Sequence, residues 1–438
     1  MNKINRRKAL KALGVASATA LGGGAVLAGT NLIEQASTDQ AKAVQPPLSS
    51  LLPFEGVHQP GIITTQPEAV LWAALDVTVS SRGELTLLLK LLSQHIRDLM
   101  GGQLHTLDPK AVNFPPAETG ELGFDNLSQG NLSITLGLGA SLFINEGADR
   151  FGLANRKPVA LKQMPRNFAG DRLDSSFVDG DLFLQICSDH PLINLHTLRD
   201  LLRTTKGQLI ARWVQPGFQR FFAQPEAGKA NARGLLGFKD GTANLDIKDE
   251  TLMSELVWTG PEEPEWARGG TYLVARKIHE QLERWDRLNL SQQEASIGRT
   301  KREGVALGYS RESDKPIYTD VASGNVVPDN AHIRKANPRL GEESDKRRML
   351  RRGYLYFNGL DKNGLMDGGF LFMAFCRNVE EQFEYVKRNY MINRNFPRYN
   401  TGAQDLDEYL FCVGGGYFFV PPGVKSTDRF LADTLLLG

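Results

Sequence analysis

Three short stretches hold residue types able to do chemistry. Gly237-Phe238-Lys239-Asp240-Gly241-Thr242-Ala243-Asn244 presents a carboxylate in a turn-like setting. Asp329-Asn330-Ala331-His332-Ile333-Arg334-Lys335-Ala336-Asn337-Pro338-Arg339 places one of only seven histidines in a polar segment, and Met349-Leu350-Arg351-Arg352-Gly353-Tyr354 carries two arginines into a strand-like run. A carboxylate can hold and pass a proton, an imidazole can bind a metal, and a guanidinium stays charged at any working pH and stabilises anions. Each stretch also has an ordinary reading. Asp-Gly between apolar residues is more often a turn. A lone histidine is usually structural, and the basic run from Lys346 to Arg352 reads as a solvated face or an anion patch. Spacing alone assigns none of them a role.

The elements that must position these residues alternate in a fixed order. Ala69–Val79 reads as a strand and Glu84–Met100 as a helix with Leu85, Leu88, Leu89, Leu92 and Ile96 on one face. Asn131–Leu138 and Leu182–Cys187 follow as strands, then a proline-initiated helix Pro191–Arg203 and a strand Ala211–Val214. The order β-α-β-β-α-β then returns: Thr271–Ile278, a helix Glu280–Leu288, Tyr354–Asn358, Phe370–Phe375, a helix Val379–Asn389 and Gly416–Val420. The expected fold class is α+β, two ferredoxin-like domains of antiparallel sheet with helices on one face, at 53–225 and 226–438. Between Asn289 and Arg352 the periodicity disappears. A stretch that long inside a compact domain is usually functional or disordered, and two of the three chemical segments lie in it.

The 438 residues are 41% hydrophobic and 23% charged, enough to bury a sizeable core, and a net charge of +1 gives no basic face for nucleic acid. Residues 1–43 stand apart. They hold six basic residues (Lys3, Arg6, Arg7, Lys8, Lys11, Lys42) and two acidic ones (Glu34, Asp39), leaving 45 basic and 48 acidic in the remainder. Arg6-Arg7 precedes a Gly/Ala-rich apolar run from Leu13 to Thr30, and Ala41-Lys42-Ala43 offers small residues for cleavage, which resembles a twin-arginine export signal. Ala9 stands where that signal usually has phenylalanine, and a short membrane anchor is the alternative. The expected location is the periplasm or cell envelope. Cys187, Cys376 and Cys412 are too few and too scattered for a disulfide framework, and no Cys-x-x-Cys-His for covalent haem attachment occurs.

Taken together and in this order, Gly-x-x-Asp-Gly, His-Ile-Arg-x-x-Asn-Pro-Arg and Leu-Arg-Arg-Gly-Tyr resemble the dye-decolourising haem peroxidases, in particular the periplasmic deferrochelatase/peroxidase branch that serves ferrous-iron uptake. The resemblance runs from the leader to Gly414-Gly415-Gly416-Tyr417-Phe418-Phe419-Val420-Pro421. It implies one non-covalent haem b in the C-terminal domain, with His332 as proximal iron ligand and Asp240 and Arg351 as the distal catalytic pair. It further implies haem contacts from Gly241, Thr242, Ala243, Asn337, Pro338, Arg339 and Arg351. Glu408, with Asp405 and Asp407 close by, resembles the acid that accepts a hydrogen bond from the proximal imidazole.

Those residue types suit peroxide chemistry. Hydrogen peroxide must lose a proton from one oxygen and regain it on the other as the O–O bond breaks, which asks for one acid–base group and one cation. A carboxylate on the second nitrogen of the proximal imidazole would raise its basicity. The implied partners are hydrogen peroxide, a small reducing substrate such as a dye, a phenol or ferrous iron, haem or protoporphyrin, and other components of a ferrous-iron uptake system. Homo-oligomerisation stays open. A non-catalytic haem carrier is the alternative, but it would not need Asp240 and Arg351. A third activity, removal of iron from haem with the tetrapyrrole left intact, follows from the branch resemblance alone. Trp258, Trp266, Tyr309 and Tyr318 are candidate electron relays.

Overall fold

The computed structural model describes residues 51–103, 112–113, 118–122, 130–221, 232–318 and 327–437. The expected leader at 1–43, and most of the junction between the two expected domains, fall outside them. Among the described residues no helix is long and apolar enough to cross a membrane.

The strands are β1 (Ala69–Val77), β2 (Ser133–Gly139), β3 (Leu182–Ser188), β4 (Leu209–Phe218), β5 (Ala232–Arg233), β6 (Lys239–Asp240), β7 (Thr271–Glu280), β8 (Leu350–Arg351), β9 (Tyr354–Leu360), β10 (Met366–Cys376) and β11 (Leu410–Val420). In the first half β1 lies between β3 and β4, with β2 outside β3; in the second β7 lies between β10 and β11, with β9 outside β10. Every pairing is antiparallel. The two halves do not form separate sheets. Phe418↔Gly139 and Phe419↔Leu138 join β11 to β2, and Phe218↔Leu355 joins β4 to β9. With β7 paired to β10, the order closes into an eight-stranded ring.

Period-two alternation sorts the side chains into two layers. Trp72, Phe183, Leu273, Tyr354, Leu371 and Phe418 belong to one apolar cluster, while Leu71, Leu184, Val274, Ala374 and Phe419 belong to a second that includes the helices. In the first half that helical layer is solid. Helix Arg82–Met100 starts at a capping box of Ser81 and Glu84 and buries Leu85, Leu88, Leu89, Leu92 and Ile96 completely. Helix Pro191–Thr204 packs beside it.

The helices of the second half depart from expectation in two places. In place of a helix over Glu280–Leu288 there is one turn, Leu282–Trp285, followed by a helix Leu290–Ile297 inside the stretch that shows no periodicity; Glu280 itself ends β7. The helix expected over Val379–Asn389 is π-helical over Glu380–Glu384 and Val386–Met391. Its i→i+5 bonds, Glu384 N to Val379 O and Ile392 N to Lys387 O, are both 3.0 Å. All three cysteines are buried free thiols.

Candidate active site

The outward row of β7 changes character along its length. Tyr272 and Val274 are packed in the helical layer, whereas Arg276, Ile278 and Glu280 face a cleft of about 320 Å³. Its apolar walls include Ile297, Phe370, Phe372, Phe383, Leu406 and Leu410.

Asp240 enters from β6, held by the two-residue ladder to β5 in which it pairs with Ala232. Gly241, at φ +88°, turns the chain away, and its N–H donates to Asp240 Oδ1 at 2.7 Å. Arg351 is carried by β8, paired with Ala374 of β10. Asn244 clamps its backbone from the other side: Arg351 N donates to Asn244 Oδ1 at 2.9 Å, and Asn244 Nδ2 donates to Arg351 O at 2.8 Å. The guanidinium lies 3.8 Å from Asp240 Oδ1, with about a third of each side chain exposed (32% and 34%). That is an ion-pair distance without a direct hydrogen bond, so both groups remain able to bond to a third molecule.

His332 opens the short helix His332–Ala336, too short to be stable alone. Arg334 pins it to Asp329 at 2.8 Å, and the fully buried Lys335 donates to the carbonyls of Asn393 and Gly402. His332 Nδ1 meets Gln404 Oε1 at 2.9 Å, while Gln404 Nε2 donates to Asp407 Oδ1 at 2.6 Å, itself 3.5 Å from Lys387 Nζ. The carboxylate fixes which way the amide points. Nδ1 therefore carries the proton, and Nε2, which has no protein partner among the described residues, keeps its lone pair. Burial pushes the His332 pKa down, and the charge of Arg351 adds to this against the opposing pull of Gln404, Asp407 and Asp240. The imidazole is neutral at neutral pH, as a metal ligand must be.

Two family models cover the chain, "Dyp-type peroxidase, N-terminal" over residues 59–219 and "Dyp-type peroxidase, C-terminal" over residues 231–425. The chain belongs to the Dyp-type peroxidase family. This peroxidase is 38% identical over 442 residues to a deferrochelatase of Escherichia coli strain K12, covering 100% of this chain and 98% of that one. It is similar in structure to the DyP-type peroxidase from Cellulomonas bogoriensis (TM-score 0.76, 33% identity, 90% of this chain and 100% of that chain). Ferric DtpA from Streptomyces lividans gives 0.75 and 31%, with 90% and 100% covered. The chain is a haem-dependent peroxidase enzyme, and its mixed α+β architecture is that of the family.

The cleft suits the flat, apolar, dianionic shape of a porphyrin. Arg299, Arg339 and Arg351 line it together; burial lowers the pKa of Arg299, and the repulsion of the other two lowers it further against the pull of Tyr318 and Glu312. Three guanidinium groups call for anions, and haem carries two carboxylates. Asn337 Oδ1 and Arg339 Nε, on residues lining the cleft, are buried without a hydrogen-bond partner.

Asp240, Gly241, Thr242, Ala243, His332, Asn337, Arg339 and Arg351 all line one cleft. Pro338 is buried behind the wall. Glu408 is misplaced in the sequence reading: its side chain is 62% exposed and lies 3.3 Å from Arg284, while Gln404 takes the bond from His332 and Asp407 supports it. The turn over Asp405–Glu408 directs one acid inward and the next to solvent, a choice that a run of acids does not reveal. Gln404, Asn244 and Arg299 were missed, since a neutral amide or a single arginine has no spacing signature. Of the four aromatic relay candidates only Tyr318 lines the cleft; Trp266 lies in the helical core and Trp258 stacks on His58.

Proposed function

We propose that this peroxidase holds one haem b per chain, non-covalently, on His332 Nε2, and reduces hydrogen peroxide while oxidising dyes, phenols or ferrous iron in the cell envelope. The observation that carries this reading is the pairing within one cleft of a neutral imidazole with a free Nε2 and an Asp240–Arg351 pair set 3.8 Å apart. Bound there, the haem iron would supply the electrons that cleave the peroxide bond. Asp240 takes the proton from one peroxide oxygen and returns it to the other, and Arg351 stabilises the negative charge that develops on the departing oxygen. Asp407, through Gln404, holds the His332 ring and its tautomer. Arg299 and Arg339, which line the cleft, would hold the haem carboxylates.

The similarity to deferrochelatases supports a further activity, release of iron from haem with the tetrapyrrole intact, in the service of ferrous-iron uptake. Arg6 and Arg7 support export by the twin-arginine route to the periplasm. A haem carrier without turnover has no use for Asp240 and Arg351. Incubating the haem-loaded protein with a dye, with and without peroxide, tests the reading: peroxide-dependent dye oxidation is expected, and haem retention without any oxidation would leave the carrier. Metal-free porphyrin fluorescence in the same samples reads iron release.

A further inference from the structure

Four acids line the cleft, and three are tied to partners. Asp171 receives two bonds from Arg276, at 2.6 and 2.7 Å. Asp240 lies beside Arg351 and accepts from Gly241 N; Asp407 is held by Gln404 and Lys387. Glu280 is the exception. It is 5% exposed, its Oε2 is buried without a partner, and it belongs to the outward row of β7 that forms the cleft wall. An unpaired buried carboxyl is destabilising even when neutral, and more so when charged, so packing alone gives no reason for it.

The charged groups around it leave it alone. On β7, Arg276 is occupied by Asp171, and His279, on the opposite face, lies 3.5 Å from Asp367. From β9, Tyr356 feels Glu280, and its own pKa is raised chiefly by burial. Beyond Leu410, the residue opposite Glu280 on β11, Glu408 is turned to solvent with Arg284. With burial as the cause and no opposing cation, the Glu280 carboxyl is pushed up to about 8. At neutral pH it holds a proton while the tied acids of the cleft are held as partners of cations or donors.

We infer that Glu280 is the proton donor of iron release, the carboxylic acid in the cleft wall that protonates the tetrapyrrole as the metal leaves. The inference rests on the iron-release reading above. Ferrous haem is a dianionic ligand around Fe²⁺; taking out the metal breaks its bonds to nitrogen and forms two N–H bonds, with no change of oxidation state. Glu280 gives one proton, becomes carboxylate in an apolar wall, regains a proton from water because its charged form is disfavoured there, and gives the second.

The test uses the full chain loaded with ferrous haem under anaerobic conditions, comparing the parent with Glu280→Gln between about pH 6 and 9 by porphyrin fluorescence. Infrared difference spectra of the haem-free proteins read the C=O stretch of a protonated carboxyl. The parent should release metal-free porphyrin at a rate that falls as pH rises through about 8. Glu280→Gln, neutral and isosteric, should be at least about tenfold slower, lack that limb, and lose one protonated-carboxyl band. Equal release with the same pH limb in both proteins would overturn the donor role and leave the iron-release reading standing. No porphyrin from the parent at any pH would overturn both. A missing carboxyl band in the parent at neutral pH would overturn the donor role by itself.

Discussion

Residues 69–218 and 271–420 run through the same order of strands and helices, yet one half is solid and the other hollow. In the first, a 19-residue helix with five fully buried apolar side chains covers the outward face of the sheet. In the second, the corresponding connection, from Glu280 to Leu350, is broken into short helices, with His332 at the start of one and Arg351 at the exit. Ionisable groups divide the same way. The solid half places its ionisable groups against one another, such as His95 with Asp200 at 2.5 Å and His196 with Glu121 at 3.3 Å. The hollow half gathers Arg299, Arg339 and Arg351 around one cleft with Asp240 beside only the last of them, and leaves Glu280 unpaired. A site is made here by withholding packing and pairing that the same topology can supply.

The largest expected effect comes from removing the proposed iron ligand of the hollow half. His332→Ala should lose haem on gel filtration, seen as a lost Soret band, while the haem-free variant unfolds at the parent's midpoint. A variant that kept a histidine-ligated spectrum would take His332 out of the proximal role. Next, Arg351→Leu should slow the reaction with peroxide by about 10²–10³ with haem retained, as when one oxyanion donor is removed. An unchanged rapid-mixing rate would reassign Arg351 to haem anchoring.

A smaller effect separates the two halves directly. Ile186→Val, in the solid core, should cost the haem-free protein about 0.5–1.5 kcal/mol in denaturant unfolding. Ile278→Val, on the cleft wall, should cost less, because fewer atoms surround the deleted methyl. Equal costs would mean that the cleft collapses when haem is absent.

A further comparison lies in pH dependence, where the halves should move in opposite directions. Burial pushes the Asp200 carboxyl up, but the hydrogen bond and charge of His95, with Arg203 and His196, outweigh this and hold its pKa below the usual range. Its stabilisation is present above the unfolded value near about 3.9 and is lost as pH falls through the lower folded value. Glu280, raised from 4.5 to about 8, does the reverse: the folded state keeps a proton that the unfolded state has released, so stability declines as pH rises across that window. Urea midpoints of the haem-free protein should show both limbs, and Glu280→Gln should flatten only the upper one.

Much of this was legible in the sequence, for physical reasons that differ by residue. Helix Arg82–Met100 and strands β1 and β3 are betrayed by regular burial. The start of β11 at Leu410 is not, because the expected strand begins only at Gly416; yet Gly415 has φ +127° and a Cβ there would sit 2.0 Å from Ala275 O, so the ladder itself demands glycine. Asp240, His332 and Arg351 were legible only as a resemblance, since each alone suits a turn, a core or a surface. Gln404 lies 72 residues from His332 and acts through an amide that no pattern marks. The sequence pattern makes Glu280 the first residue of a helix, whereas it is the last residue of β7 and lines the cleft.

The ring of strands has a consequence for the protein without its cofactor. Emptying the cleft exposes apolar wall, but each of the eight ring strands still has a hydrogen-bonded neighbour on both sides. Among the described residues the ring therefore leaves only the short seams between β2 and β11 and between β4 and β9 weakly paired, where an unclosed sheet would offer two full edges, the usual template for aggregation.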